Sequence, residues 1–566
     1  MKTKSIIKLV VICLIFILGC SQSKEKEVTQ TYENYNNIEF EMKTIQEPQI
    51  PNNTVNIKDF GAVDGGQVLN TKAFEKAIEV VLEKGGGKVI IPAGIWLTGP
   101  IILKSKLELH AEAGALIKFS TNKDLYPIIE TNFEGLNTWR CLSPIYGKNL
   151  EDVAFTGPGV WDGSGDAWRQ VKRSKITESH WKKLVTSGGF VNESNTSWYP
   201  SEQFKNASKN AELNVRKDLK TKEEFQQIKD FLRPVMVSIQ NSKRVMFSGS
   251  VFQNSPAWCI HPLMVEDLTV KNITVRNPHY SQNGDGIDIE SCKNVIVENS
   301  SFDVGDDAIC IKSGKDKDGR DRNFPCENLI IRNNIVYHGH GGVTVGSEMS
   351  SGVKNMHVSN CTFIGTDVGL RFKSKRGRGG VVENIFISDV RMTNIPTNAI
   401  SFNLYYGGLS VSEMLEKAKN NKTVAKVVPV SETTPQFKNI VIKDIVIDGA
   451  HQAVFLQGLP EMNLENVKIS NLLVKADKGF SIIDADGITI NNVNITVKEE
   501  TVFNIFNSKN LDVSNIEFNS VAKNAVFING KGSENIKLKS SKKTDFTKST
   551  FIGETVGKNV VTFQKE

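Results

Sequence analysis

Apolar and polar positions alternate in short runs along most of this chain, and the runs keep returning in the same shape. KNVIVENSSF (293–302), ENLIIRNNIV (327–336), KNMHVSNCTF (354–363) and ENIFISDVRM (383–392) are followed by KNIVIKDIVI (438–447), ENVKISNLLV (465–474) and KNLDVSNIEF (509–518). The interval is about 27 to 34 residues through the central part. Alternation at period two predicts strands, and recurrence predicts stacked coils of an all-β solenoid, a parallel β-helix. No long helical pattern intervenes between 233 and 400, which disfavours a βα barrel. The repeated Asn is expected to stack as a side-chain ladder, a structural role.

The flanks read differently. Residues 55–120 are expected to form a cap and first coils. TKAFEKAIEVVLEK places Phe74, Ala77, Ile78, Val81 and Leu82 on one helical face and stops at Gly85–Gly87. Residues 121–540 are predicted to form the solenoid, and 541–566 a tail or cap. Two stretches break the rhythm, 166–232 and 405–432, and read as long loops that shape a binding face. TKEEFQQIKDFL (221–232) has helical character.

Residues 1–20 combine a basic start, a short apolar core and Leu18-Gly19-Cys20. They read as a bacterial lipoprotein signal with Cys20 as the lipidated residue, followed by a flexible tether over 21–54. An exported periplasmic or cell-surface location is expected, with the membrane touched only through that anchor. Net charge is +6, three of it from Lys2, Lys4 and Lys8, too little to argue for nucleic acid. Six cysteines follow the signal without a CxxC pair, so a zinc site is not expected. They read as buried thiols or one disulfide. DKDGRDR (316–322) lacks a full calcium ligand set and reads as a polar turn. No cofactor or metal is expected.

A second strand precedes each Asn phrase. Aligning IDIESC (287–292), ICIKSG (309–314), VTVGSE (343–348) and LRFKSK (370–375) puts Ile287, Ile309, Val343 and Leu370 in one inward column. Asp285 and Asp307 then fall two positions before it, Asp306 and His340 three before, and Arg371 and Lys373 share one outward face. Adjacent strands lie about 4.8 Å apart, so four rungs gather these groups along one groove. Glycoside hydrolysis asks for such acids: one protonated carboxyl for the leaving oxygen and one ionised to activate water. Neighbouring carboxylates raise each other's pKa, which keeps one proton in place. Asn283, Lys312, Arg376 and Arg378 are further candidates for substrate contact. Trp139, Trp161, Trp168 and Trp258 are candidate sugar platforms, with core packing the commoner fate of Trp. His261 and His279 lie near the groove.

Asn283-Gly284-Asp285-Gly286, Gly305-Asp306-Asp307, Gly339-His340-Gly341 and Arg371-Phe372-Lys373 resemble, in order and spacing, the four signatures of the polygalacturonase family, glycoside hydrolase family 28. Gly284 stands where that family usually has Thr. The resemblance covers roughly 55–530 and implies a right-handed, pectin-lyase-like β-helix with a capping helix. It implies Asp306 as general acid, Asp285 and Asp307 holding the attacking water, and His340 orienting the acid. Arg371 and Lys373 would bind a substrate carboxylate, inversion would follow, and the substrate would be an anionic, pectin-derived polysaccharide acted on by a monomer. Inverting pairs ordinarily sit about 6.5–9.5 Å apart, wider than one rung. The 166–232 insertion could wall off one groove end and impose exo-action. The rival readings are a rhamnogalacturonan or xylogalacturonan hydrolase, a calcium-dependent eliminase, and a non-catalytic polysaccharide-binding β-helix.

Overall fold

In the computed structural model the alternating runs become rungs, each pairing in parallel with the next. Ile287 lies opposite Ile309, Ile309 opposite Val343, Val343 opposite Leu370 and Leu370 opposite Ile400. All five are 0% exposed, so the predicted inward column is the core of a parallel β-helix. Residues 38–209, 214–407, 427–519, 525–541 and 543–565 are described. The signal segment with Cys20, the first part of the tether and residues 408–426 of the second insertion lie outside them.

The coils extend into the stretch expected as a C-terminal tail or cap. Thr54–Asn56 already pairs in parallel with Gly87–Ile91, and Val561–Lys565 pairs with Glu534–Ser540 at the other end. The helix Thr71–Glu83 buries Phe74, Ala77, Ile78 and Val81 as expected and Ala73 besides, leaves Leu82 only partly buried, and covers the first coil. Part of the expected tether is not free chain. Gln49 donates its amide to Asp152 (2.8 Å), Glu47 meets Lys271 (2.6 Å), Glu39 meets His357 (2.7 Å) and Phe40 packs on Phe386. Residues 39–49 therefore lie against successive coils.

The Asn phrases form ladders. Asn328 donates to Asn294, Asn355 to Asn328 and Asn384 to Asn355, at 3.1–3.2 Å. A second ladder runs Asn360 to Asn333 to Asn299. Each of these Asn has positive φ, between 49° and 60°. Asn tolerates that left-handed conformation better than most residues, so one residue turns the chain and ties the coils together.

All six cysteines of the described residues are buried and free, which removes the disulfide alternative. The 166–232 insertion is folded. It holds a three-stranded antiparallel sheet and the helices Glu178–Thr186, Glu202–Ser208 and Lys222–Gln226. The helical run expected over 221–232 is shorter: Lys222–Gln226 stops, and a separate 3-10 turn spans Lys229–Phe231. DKDGRDR, expected as a turn, forms the helix Asp316–Arg322. Among the described residues no helix is long and apolar enough to cross a membrane.

Candidate active site

Four neighbouring strands, Ile287–Glu290, Asp307–Lys312, Gly341–Val345 and Val368–Lys373, carry the predicted residues. Asp307 pairs with Gly341, which sets Asp306 beside His340, and Nδ1 of His340 lies 3.2 Å from Asp306. Arg371 donates to one oxygen of Asp307 at 3.0 Å and Lys373 to the other at 2.8 Å. Carboxylate oxygens of Asp285 and Asp307 lie within 4.8 Å of each other. The register brings together Asp285, Asp306, Asp307, His340, Arg371 and Lys373.

Depth separates their characters. Asp307 is 2% exposed in its side chain, whereas Asp306 is 22% and His340 34%. Burial raises the Asp285 pKa well above the carboxylate range, and the charges of Asp288 and Asp306 add to that. Burial acts on Asp307 too, but Lys373 and then Arg371 outweigh it and hold the pKa low. At Asp306 burial is outweighed by the hydrogen bond with His340, so this carboxyl is also held down. The same bond raises the pKa of His340. Burial pushes the Cys310 thiol up, leaving it neutral beside Asp307. Burial and like charge thus make Asp285 the strongest proton acceptor of the three acids, while Asp306 and Asp307 are held toward the carboxylate and His340 toward the imidazolium.

Asn283 joins this cluster to a wall. Its amide donates to Asp306 (3.3 Å), and its side-chain oxygen accepts from Arg233 (2.9 Å) and Asn214 (3.3 Å). Arg140 donates to the carbonyls of Arg233 and Asn214 and lies 3.9 Å over the Phe133 ring. Phe133 packs on Trp258 at 4.8 Å. Phe133 and Arg140 belong to an antiparallel hairpin, Ile128–Cys141, whose tip at Gly135 accepts from the amide of Lys315. Burial lowers the pKa of Arg140 to about 10 and of Arg233 to about 9. Hairpin and insertion together stand over the coils that precede Asp285. The insertion also reaches His340: Lys175 Nζ lies 3.5 Å from its Nε2, with Asp367 at 3.6 Å from the same atom.

Three expected substrate contacts are turned to other work. Lys312 is 4% exposed, lies 3.2 Å from Glu348 and 4.8 Å over the Trp258 ring, below the groove. Arg378 is spent on Ser347, Asp316 and Glu348. Arg376 forms a two-pronged pair with Glu461. Their acid partners are distant in sequence or carry no motif, so the pattern of cations alone could not place them. Trp161 and Trp168 are fully buried and Trp258 nearly so, which removes them as sugar platforms. His261 is buried against Glu290 at 2.9 Å, and His279 meets the carbonyl of Lys175. Tyr406 was missed: its ring lies 5.4 Å from Lys373 and 5.9 Å from Arg371. The only signal for it was an aromatic pair just past the next rung's strand. Tyr406 also lines a small cavity of about 260 Å³ with Lys375, Arg376 and Tyr405. A larger one, about 1140 Å³, is lined by Asn132, Trp139, Lys148 and Gln240, among others, and by none of the six gathered residues.

Comparison with known proteins shows the family. Residues 214–427 match the family model described as glycosyl hydrolases family 28. A crystal structure of a hyperthermoactive exopolygalacturonase from Thermotoga maritima shares 31% identity, covers 81% of this chain and 94% of its own, with a TM-score of 0.61. An exo-poly-alpha-D-galacturonosidase of Dickeya chrysanthemi is 27% identical over 453 residues, 78% of this chain and 70% of that one. A probable polygalacturonase of Vitis vinifera is 27% identical over 77% of this chain and 78% of its own.

Proposed function

The chain belongs to glycosyl hydrolases family 28, and from that premise we propose that it hydrolyses α-1,4 bonds of polygalacturonic acid with inversion, working from chain ends. One observation carries the reading: three acids, an imidazole and two cations from four rungs meet on one strip. Asp285 and Asp307 are close enough to share one attacking water. Asp306 is the acid that protonates the leaving oxygen. His340 is its proton store and passes a proton to Asp306, a reading supported by the 3.2 Å contact between them and by the raised pKa of His340. Arg371 and Lys373 recognise the sugar carboxylate, where a guanidinium fork suits a two-oxygen partner.

Exo-action is supported by the wall of Phe133, Arg140, Arg233 and Asn214, which stands over the coils preceding the acids. The exo-acting relatives from Thermotoga and Dickeya support the same reading. The test is incubation with polygalacturonate and, separately, rhamnogalacturonan, with products sized from the first minutes. Release of short saturated products from polygalacturonate alone is expected. A mixed ladder rejects exo-action, cleavage of rhamnogalacturonan alone rejects the substrate, and an ultraviolet-absorbing unsaturated product rejects hydrolysis. Asp306→Asn should lose about 10²–10⁴-fold in kcat with the fold intact; full retention would refute its role.

We further propose export and lipid anchoring through Cys20, motivated by Leu18-Gly19-Cys20 after the apolar run. Cys20→Ser should move the protein from the membrane to the soluble fraction. Unchanged fractionation would refute the anchor.

A further inference from the structure

We propose that Asp288 and Lys312 are a positioning pair for Asp285, placing one further carboxylate and one cation beneath the group that receives the proton of the attacking water. This rests on reading Asp285 as part of the base. Asp288 follows Asp285 by three positions and lies opposite Cys310 on the floor strand. It is 0% exposed, and neither carboxylate oxygen has a hydrogen-bond partner among the described residues. Lys312 Nζ, also buried, lies 3.6 Å from it. One oxygen of Asp285 is likewise buried without a hydrogen bond.

A buried carboxylate without hydrogen bonds is costly, so its place under the acids calls for an explanation. The neighbouring charges supply one. Glu290, on the same strand, is taken up by His261 at 2.9 Å and Arg322 at 2.6 Å. Asp307 is taken up by Arg371 and Lys373, and Asp306 by His340. Glu348 has Arg378 at 3.3 Å as well as Lys312 at 3.2 Å. Cys310 is a neutral thiol. What remains is Asp285 and Asp288, with Lys312 3.6 Å from Asp288 and acting on both charges, and with Arg233 of the wall as the other cation that acts on Asp285. Two such carboxylates titrate as a unit: each makes the other a better proton acceptor, and the cation makes both worse. Asp288 therefore strengthens Asp285 as a base, and Lys312 keeps that strengthening from locking the proton in place.

The two members must act with opposite sign, which a merely structural role would not produce. Asp288→Asn removes the like charge, so the acid limb of kcat/KM should move to lower pH by about 1 unit. Lys312→Met removes the cation, so the limb should move to higher pH by a similar amount. Both profiles are measured on polygalacturonate, with thermal unfolding followed in parallel. If Lys312→Met does not fold, Asp288→Asn decides alone. An unmoved limb, or a shift of Asp288→Asn to higher pH, overturns the proposal. Asp285→Asn separates the two levels: if it stays fully active, the reading of Asp285 as base has failed, whereas an inactive Asp285→Asn with unmoved limbs in the other variants defeats only the positioning pair.

Discussion

Asp307, Lys373 and Arg371 give a direct measure of how the groove floor is held together. Asp307 is 2% exposed and Lys373 10%, and they meet at 2.8 Å; Arg371 meets the other oxygen at 3.0 Å. At an effective dielectric of about 20, a pair at that distance attracts by about 6 kcal/mol before desolvation is charged against it. Removing one partner of such a buried pair strands the other, at about 3–5 kcal/mol. Asp307→Asn strands two cations and should fall in that range. Lys373→Met leaves Asp307 its bond with Arg371 and should cost less. The double variant strands only Arg371, so it should be less destabilised than the two singles summed, by about 1–3 kcal/mol. Urea unfolding followed by Trp fluorescence reads all four corners of the cycle. The pH dependence carries its own sign. Because the folded pKa of Asp307 is depressed, its stabilisation is complete above the unfolded value of about 3.9 and is lost as pH falls below it. The gap between the parent protein and Asp307→Asn should therefore be full at neutral pH and close in acid. Additive singles, or a gap that widens in acid, would refute the reasoning.

Two further predictions concern the acid and the ladder. The raised pKa of His340 keeps it charged above the ordinary value of about 6.5. kcat/KM should fall as pH rises through that raised value, and His340→Gln should lose this alkaline limb along with most activity; an unmoved limb would reject His340 as the proton store. Asn333→Ala breaks ladder bonds at 3.1 and 2.9 Å and places Ala at a φ of 58°. It should cost about 2–3 kcal/mol, and Asn333→Gly should recover the backbone share while activity stays at the parent level, read by thermal unfolding and initial rates.

How much of this could be read from residues alone follows from the range of the forces involved. The inward column was legible because burial and the period of a strand act within a few residues, and the parallel register then fixed Asp306 beside His340 without further information. The Asn ladders were legible for the same reason, although the left-handed turn at each Asn was not anticipated. What escaped was long-range pairing. Lys312, Arg376 and Arg378 looked like groove cations, yet Glu348, Glu461 and Asp316 claim them. The wall escaped too, since Arg140 meets Asn214 across 74 positions and Arg233 meets Asn283 across 50. Asp285 and Asp307 sit close as one unit, and Asp306 is turned to His340.

The scaffold divides its labour in a way that bears on how such a site changes. The groups proposed to react and to bind the substrate carboxylate sit on or beside core strands, where rung spacing and buried columns fix positions that loops hold less tightly. The 166–232 insertion contacts Asn283 through Asn214 and His340 through Lys175, and Arg140 of the hairpin Ile128–Cys141 in turn holds the Asn214 carbonyl. Changes there should alter where along a chain cleavage falls, while changes in the rungs alter whether it occurs. Asn283 is bonded to both parts, donating to Asp306 and accepting from Arg233 and Asn214. Asn283→Asp would keep the backbone donor to Asp306, draw Arg233 closer and set an added negative charge near the acid. Its kcat should fall while the product pattern stays unchanged. A switch from short to mixed-length products would instead locate the end-wall at this residue and defeat the division drawn here.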